Sequence, residues 1–309
     1  MRAVRYVVLS SLLAAVGCGG MEQSQDEQTQ DSVDVQPAGK GGGIASEFVS
    51  TAAKPGGQAA PGANGITNHG GPVMTGTNTV YFIYYGNWSG NTAPTIIGDW
   101  ANSIGGSPYF NINTTYTNTA GTKVSNSVVN GGSTTVAYPY GTALTDANIQ
   151  SIVADAINGG KLPKNTSAVY FVVTSSDVNA TSGFCTQYCG WHTHGTIGGS
   201  DIKYSFVGNP DRCPSSCEMY PNAGPNGNPG ADGMISILSH ELEEAVTDPD
   251  LNAWYDTKGA ENADKCAWTF GTTYAAANGA TANMKLGTRD FLIQQNWVNA
   301  SGGYCAKSF

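Results

Sequence analysis

The chain has 309 residues, with 14 Lys+Arg against 23 Asp+Glu and a formal net charge of -9, an acidity that repels phosphate backbones and excludes general nucleic-acid binding. Hydrophobic residues make up 40% and charged residues 12%, which excludes global disorder and leaves apolar material for a large core. No apolar run beyond the N-terminus reaches the length of a membrane span, which excludes an integral channel or transporter.

Residues 1–17 read as a signal peptide: Arg2 and Arg5 precede an apolar stretch built on Val7, Val8, Leu9, Leu12, Leu13 and Val16. Ala15-Val16-Gly17-Cys18 is similar to a bacterial lipobox, with Ala15 in place of the usual Leu, so Cys18 is the expected lipidated residue and membrane anchor. From 18 to 69, Gln, Ser, Asp and Gly dominate and large apolar side chains are scarce, a composition that predicts a flexible tether. A single globular domain is expected over 70–309, exported and either lipid-anchored to a bacterial envelope or secreted. Removing Cys18 from the seven cysteines leaves an even set: Cys185, Cys189, Cys213, Cys217, Cys266 and Cys305. In an exported chain these predict three disulfides rather than a zinc cluster, with the pairing left open.

Within the domain, Thr79–Tyr85 is rich in aromatic and β-branched residues and predicts a strand. Pro94–Ile104 reads as a helix. Ser107–Pro139 is rich in Thr, Asn and Gly, with short β-like runs such as Thr134–Tyr138. Thr145–Asn158 places Ile149, Ile152, Val153, Ala156 and Ile157 at helical spacing before Gly159-Gly160. Ala168–Thr174 is almost wholly apolar, as a central strand requires, and Lys203–Val207 is a further strand. This alternation predicts an α/β fold, a mixed β-sheet flanked by helices and stabilised by disulfides.

The segment from Asp232 to Pro249 predicts a helix that Asp232 can cap and Pro249 stops. It carries His240-Glu241-Leu242-Glu243-Glu244, an H-E-x-x-E pattern. At about 100° per residue, His240 and Glu244 stand one turn apart on one face, Glu241 lies beside them, and Glu243 points elsewhere toward expected solvent. In the H-E-x-x-H helix of zinc peptidases the outer two side chains bind the metal and the intervening Glu takes a proton from zinc-bound water. Here His240 and Glu244 are the expected zinc ligands and Glu241 the general base of a zincin-like helix. The competing reading is a solvated helix face.

A third ligand is needed. Glu261, followed by Asp264 and Cys266, resembles the gluzincin layout of a ligand Glu, an orienting acid and here a disulfide pin, and is the chosen candidate. Asp250 lies where metzincin-like enzymes carry their last ligand, and Asp248 is a further candidate unless it only makes local hydrogen bonds. His192 and His194 alternate, so a strand puts them on one face; either can ligate, and His194 is the candidate to stabilise an oxyanion. The alternative for both is local hydrogen bonding beside a disulfide. His69 sits in a Gly-rich approach and carries no expected role.

Val173-Thr-Ser-Ser-Asp177, Gly183-Phe-Cys185, Cys189-Gly190, Phe206-Val-Gly-Asn209, the Cys213/Cys217 pair and Asp232-Gly-Met234 resemble the phosphate-induced protein 1 family, to which the plant EXORDIUM proteins belong. The resemblance spans residues 71–305 and implies a shared fold and an extracellular, wall-associated setting. In the plant pattern, the stretch before Thr-Asn-Pro carries no counterpart of His240, Glu241 and Glu244. This chain therefore reads as a bacterial-type member with an added H-E-x-x-E helix.

Two functions follow as expectations. The first is an exported zinc-dependent hydrolase, a metallopeptidase acting on protein or peptide. The alternative is a non-catalytic EXORDIUM-like surface protein that binds cell-wall glycan or protein, a use to which 15 Tyr and 6 Trp are suited. A calcium-stabilised domain is the third possibility, with His240 an odd neighbour for a hard cation.

Overall fold

The computed structural model describes residues 65–219 and 224–309; the expected signal peptide, the lipobox at Cys18 and the tether up to residue 64 lie outside the described residues. In chain order come β1 (Thr67–Asn68), β2 (Asn78–Tyr85), α1 (Ala93–Ile104), β3 (Val128–Val136), β4 (Ala143–Leu144), α2 (Asp146–Asn158), β5 (Ala168–Thr174), β6 (Asn179–Ala180), β7 (Gly190–Ile197) and β8 (Ser200–Val207). They are followed by α3 (Pro214–Cys217), α4 (Pro229–Thr247), β9 (Trp254–Tyr255) and three short hairpins, β10–β11, β12–β13 and β14–β15, spanning Tyr274–Ala275 to Tyr304–Ala306. Folding begins before residue 70: Ile66 is buried, β1 pairs with β9, and the His69 ring stacks on Tyr255 at 3.7 Å.

The main sheet has five strands in the order β3-β2-β5-β8-β7. The first four run parallel and β7 pairs antiparallel with β8, so the sheet is mixed. β5, Ala-Val-Tyr-Phe-Val-Val-Thr, is buried at every position, which is why it occupies the centre. β3 alternates half-buried and exposed residues and takes the edge. Gly131 and Gly132 interrupt its apolar pattern, which is why only the run from Thr134 onward was conspicuous in the sequence.

Helices cover both faces. α2 starts with a reciprocal cap: Asn148 N–H donates to Thr145 Oγ1 at 3.2 Å and Thr145 N–H donates to Asn148 Oδ1 at 2.9 Å. A Cβ added at Gly195 of β7 would meet Gln150 of α2, whereas one added at Gly190 would meet Ile237 of α4. These two strand positions differ by an odd number, so α2 and α4 lie on opposite faces. α1 packs beside α4, where Trp100 Nε1 donates to Ser239 Oγ at 3.1 Å. Ile96, Ile97, Trp100, Ala101 and Ile104 form the buried stripe of α1, each large one contributing about 1.5–3 kcal/mol by leaving water.

The three disulfides are Cys185–Cys213, Cys189–Cys217 and Cys266–Cys305. The first two each close 28 residues, so Cys185 and Cys189 meet Cys213 and Cys217 as two successive rungs before β7 and across α3. Among the described residues all six cysteines are paired and none of them remains for a zinc cluster, the bonding of a chain that folds in an oxidising compartment. Among the described residues no helix is long and apolar enough to cross a membrane.

Candidate metal centre

α4 is longer than the sequence indicates. Asn228, not Asp232, is its N-cap, accepting from Ala231 N–H at 3.1 Å with Pro229 in the first turn. Asp232 instead accepts from Asn226, at 2.6 Å from the amide and 3.0 Å from the backbone. At the other end Thr247 Oγ1 donates to the Glu243 carbonyl at 3.0 Å, and Pro249 follows.

Every residue of α4 from Gly230 to Thr247 is buried. This excludes the solvated helix face. It also corrects the expectation for Glu243, which is 0% exposed and whose carboxyl burial pushes well above the usual range. Its helix turn lies against the short 3-10 helix Phe110–Thr115 and the segment after α4: Asn262 Nδ2 donates to the Glu243 carbonyl at 3.2 Å and to Asn113 Oδ1 at 3.2 Å.

His240 and Glu244 meet as the one-turn spacing requires, Nε2 to Oε1 at 2.9 Å. Asp264 Oδ1 stands 3.4 Å from the same nitrogen, and Asp264 N–H donates to Glu244 Oε1 at 3.2 Å. From the sheet, β7 delivers His192, whose Nε2 lies 3.1 Å from Glu261 Oε2 and 3.7 Å from Glu244 Oε2. Gly190, two residues earlier on the same face, lets α4 approach this closely: a Cβ there would be 2.6 Å from Ile237 Cγ2 and 3.0 Å from Glu241 Oε1.

The electrostatics follow from burial. Desolvation, with His240 nearby, lowers the His192 imidazole to about 3, so it is neutral. Desolvation raises Glu244 to about 7, helped by Asp264 and opposed by His240. Glu261 is also pushed well up by burial and by the neighbouring Glu244, Asp248 and Asp264. For His240 burial opposes the charge, but Glu244, Asp264 and Glu241 outweigh it and hold the imidazolium well above its ordinary range.

Among the described residues, three sets of potential ligand atoms close to metal-binding distance: His192–Glu244–Glu261, His240–Glu244–Asp264 and His194–Asp201–Asp250. The first two fit a transition metal. Imidazole and carboxylate are zinc's usual donors, and two donors on one tetrahedral zinc lie about 3.4 Å apart. Moreover, His240 Nε2 and Glu244 Oε2 are buried without a well-aligned hydrogen bond. The third set is different in kind. Lys203 Nζ sits 2.8 Å from Asp250 Oδ1 and also pairs with Asp201, so an ammonium already supplies the positive charge.

The structure thus gathers His240, Glu244 and Asp264 on one side and His192, Glu244 and Glu261 on the other. It places His194 apart, 2.9 Å from Asp201 and 3.9 Å from Asp250. Asp248 caps the turn after α4, accepting from Asn252 and Ala253 N–H at 2.6 Å each, the local role weighed for it. Gln294 was not foreseen: it reaches His240 Nδ1 at 2.5 Å from 54 positions away, and no spacing rule signals such a contact.

The centre is enclosed except at Asp264, whose side chain is 14% exposed. His192 is 2% exposed and His240, Glu241, Glu244 and Glu261 are 0% exposed. A separate cavity of about 460 Å³ includes Tyr138, Pro139, Tyr140, Asp155 and Lys161 in its lining and shares no residue with the centre. Tyr138 and Tyr140 donate their hydroxyls to Asp177 and Asp155, each at 2.8 Å.

Comparison with known proteins gives one consistent result. The family model described as Phosphate-induced protein 1 conserved region matches residues 66–297. Protein EXORDIUM-like 3 of Arabidopsis thaliana is 33% identical over 276 residues, covering 77% of this chain and 81% of its own. Protein EXORDIUM-like 5 of the same plant is 32% identical, covering 74% of each chain. Protein PHOSPHATE-INDUCED 1 of Nicotiana tabacum is 27% identical over 217 residues, covering 60% of this chain and 66% of its own. No solved structure matches.

Proposed function

The chain belongs to the phosphate-induced protein 1 family, and on that premise we propose that it is an exported, EXORDIUM-like surface protein that binds glycan or protein without catalysis. Its buried His/Glu cluster then holds a divalent ion as an internal brace. The observation that carries this reading is the burial of His192, His240, Glu244 and Glu261, with Glu241, the expected base, at 0% exposure and Asp264 alone of the ligand set partly exposed. A catalytic zinc keeps a coordination position open to water and substrate, whereas a structural one is enclosed. The cavity between Tyr138, Tyr140, Asp155 and Lys161 is the candidate contact for a sugar: aromatic faces with braced polar groups at the rim. Lipidation of Cys18, a bacterial-type origin and a tether over 18–69 belong to the same proposal, the tether presenting the domain away from a membrane.

The zinc-hydrolase reading keeps one observation on its side, the approach of His240 Nε2 to Glu244 Oε1 at 2.9 Å beside Glu241. It requires the cover over α4 to open. Incubating the purified chain with an unlabelled protein substrate, and separately with insoluble wall polysaccharide, distinguishes the two. We expect retention on polysaccharide, weakened by Tyr138→Ala or Tyr140→Ala, and no cleavage. Metal-dependent cleavage lost in Glu241→Gln would overturn the non-catalytic reading.

A further inference from the structure

We propose that the buried centre is built for two divalent ions, with Glu244 as the carboxylate that bridges them. This inference rests on the metal-holding reading above and sharpens it. Glu244 faces two ways: its Oε1 is turned to His240 and its Oε2 to His192. Each oxygen belongs to a different triad, and Glu244 is the only member the two triads share. A single ion shared by all five groups would draw the two imidazoles into one set, whereas each imidazole has its own second carboxylate, Asp264 for His240 and Glu261 for His192.

Charge gives the same answer. Metal ligands bind deprotonated, so Glu244, Glu261 and Asp264 bring three negative charges, and Glu241 adds a fourth within electrostatic reach of His240. One divalent ion leaves the three ligand carboxylates with an uncompensated negative charge, which a second ion would offset. Burying unpaired carboxylates is among the costliest arrangements in a protein interior, and a second cation would lower that cost for ligands held deprotonated. The neighbouring set at His194 shows the alternative: there Lys203 supplies the compensating charge to Asp201 and Asp250. The ion pairs of Glu244, Glu261 and Asp264 run instead to the two imidazoles. Two further observations are independent of the acidic content. His240 Nε2 and Glu244 Oε2 are fully buried polar atoms without an aligned hydrogen bond, the first facing Glu244 Oε1 and Asp264 and the second facing His192. The donor set of imidazole and carboxylate selects zinc or a similar first-row ion over calcium.

The test is a metal count on the full chain, refolded oxidatively with zinc present and then dialysed. Two zinc ions per chain are expected. His192→Ala and Asp264→Asn are each expected to retain one, and Glu244→Ala to lose both. Manganese loaded in place of zinc is expected to give the exchange-coupled paramagnetic resonance spectrum of adjacent ions, a readout that still decides if a variant fails to fold. One zinc per chain with an uncoupled manganese spectrum would overturn the bridging role while leaving the metal brace intact. No bound zinc would overturn both.

Discussion

The Gln294 amide meets the imidazole of His240 at 2.5 Å, side-chain Nε2 to ring Nδ1. The same amide nitrogen also donates to the Ala263 carbonyl at 3.4 Å, and a ligating His240 Nε2 would need the amide turned to offer its oxygen to an Nδ1–H. Gln294 is 1% exposed and is itself held by Ser236, whose Oγ accepts from its backbone N–H at 3.1 Å. Through this contact Gln294 bears on which ring nitrogen carries the proton. Gln294→Leu is expected to weaken zinc binding by about 10- to 100-fold with the fold retained, the usual effect of removing a partner behind a metal-bound histidine. Competition against a chromophoric chelator measures it, and an unchanged affinity would remove Gln294 from the centre.

Gly190 sets the distance between β7 and α4. Adding a methyl there drives into Ile237 Cγ2 at 2.6 Å and the Phe206 carbonyl at 2.9 Å, neither of which is the far end of a flexible side chain. Gly190→Ala is expected to cost roughly 1–3 kcal/mol, an overpacking penalty, read from the midpoint of urea unfolding. The same substitution at Gly98, where a Cβ meets nothing within 4 Å, is expected to be neutral or mildly stabilising.

The Cys266–Cys305 bond ties the segment carrying Glu261 and Asp264 to the last strand pair and closes 39 residues. Replacing both with Ser is expected to cost about 3–4 kcal/mol, or roughly 10 °C in thermal midpoint, by releasing that loop in the unfolded chain. Because Asp264 lies two residues from Cys266, zinc affinity is expected to fall with it. Thermal scans with and without added zinc separate the two effects.

Asp177 offers a pH readout remote from the centre. Ser175 Oγ donates to its Oδ1 at 2.6 Å and Tyr138 donates to its Oδ2, and these bonds hold its carboxyl below the usual range against a smaller opposing effect of burial. A carboxyl with a lowered folded pKa stabilises the fold above its unfolded value near 3.8, and that contribution fades as pH falls through the folded value. Ser175→Ala is expected to move the Asp177 midpoint upward in a carbon-detected NMR titration. A midpoint unaltered by the change would show that the hydroxyl does not hold the carboxylate.

Regular elements with a single periodic signal were legible in the sequence. β5 matches its apolar run residue for residue, and α2 begins after Thr145 as its cap chemistry dictates. The fate of α4 was harder to read. Four ionisable side chains in five positions imply water, and packing from β7, β8, α1 and the Phe110–Thr115 turn takes that water away. His192 had the correct face from alternation, yet its partners are 52 and 69 positions away, set by sheet order rather than by local pattern. The cysteine pairing was open for the same reason: the two ladder rungs share a spacing of 28 only because β7 and β8 form a hairpin that returns the chain to its start.

The sealed walls around His240 and Glu244 make the loading of this protein a matter of history. With every contributing side chain except Asp264 enclosed, traffic between the proposed metal site and the medium waits on a partial parting of α4 from its neighbours, an event far rarer than the wobble of a surface loop. On the metal-brace proposal, whatever ion was abundant where the molecule matured would travel with it afterwards, so the same gene product from two growth media would carry two different inorganic signatures.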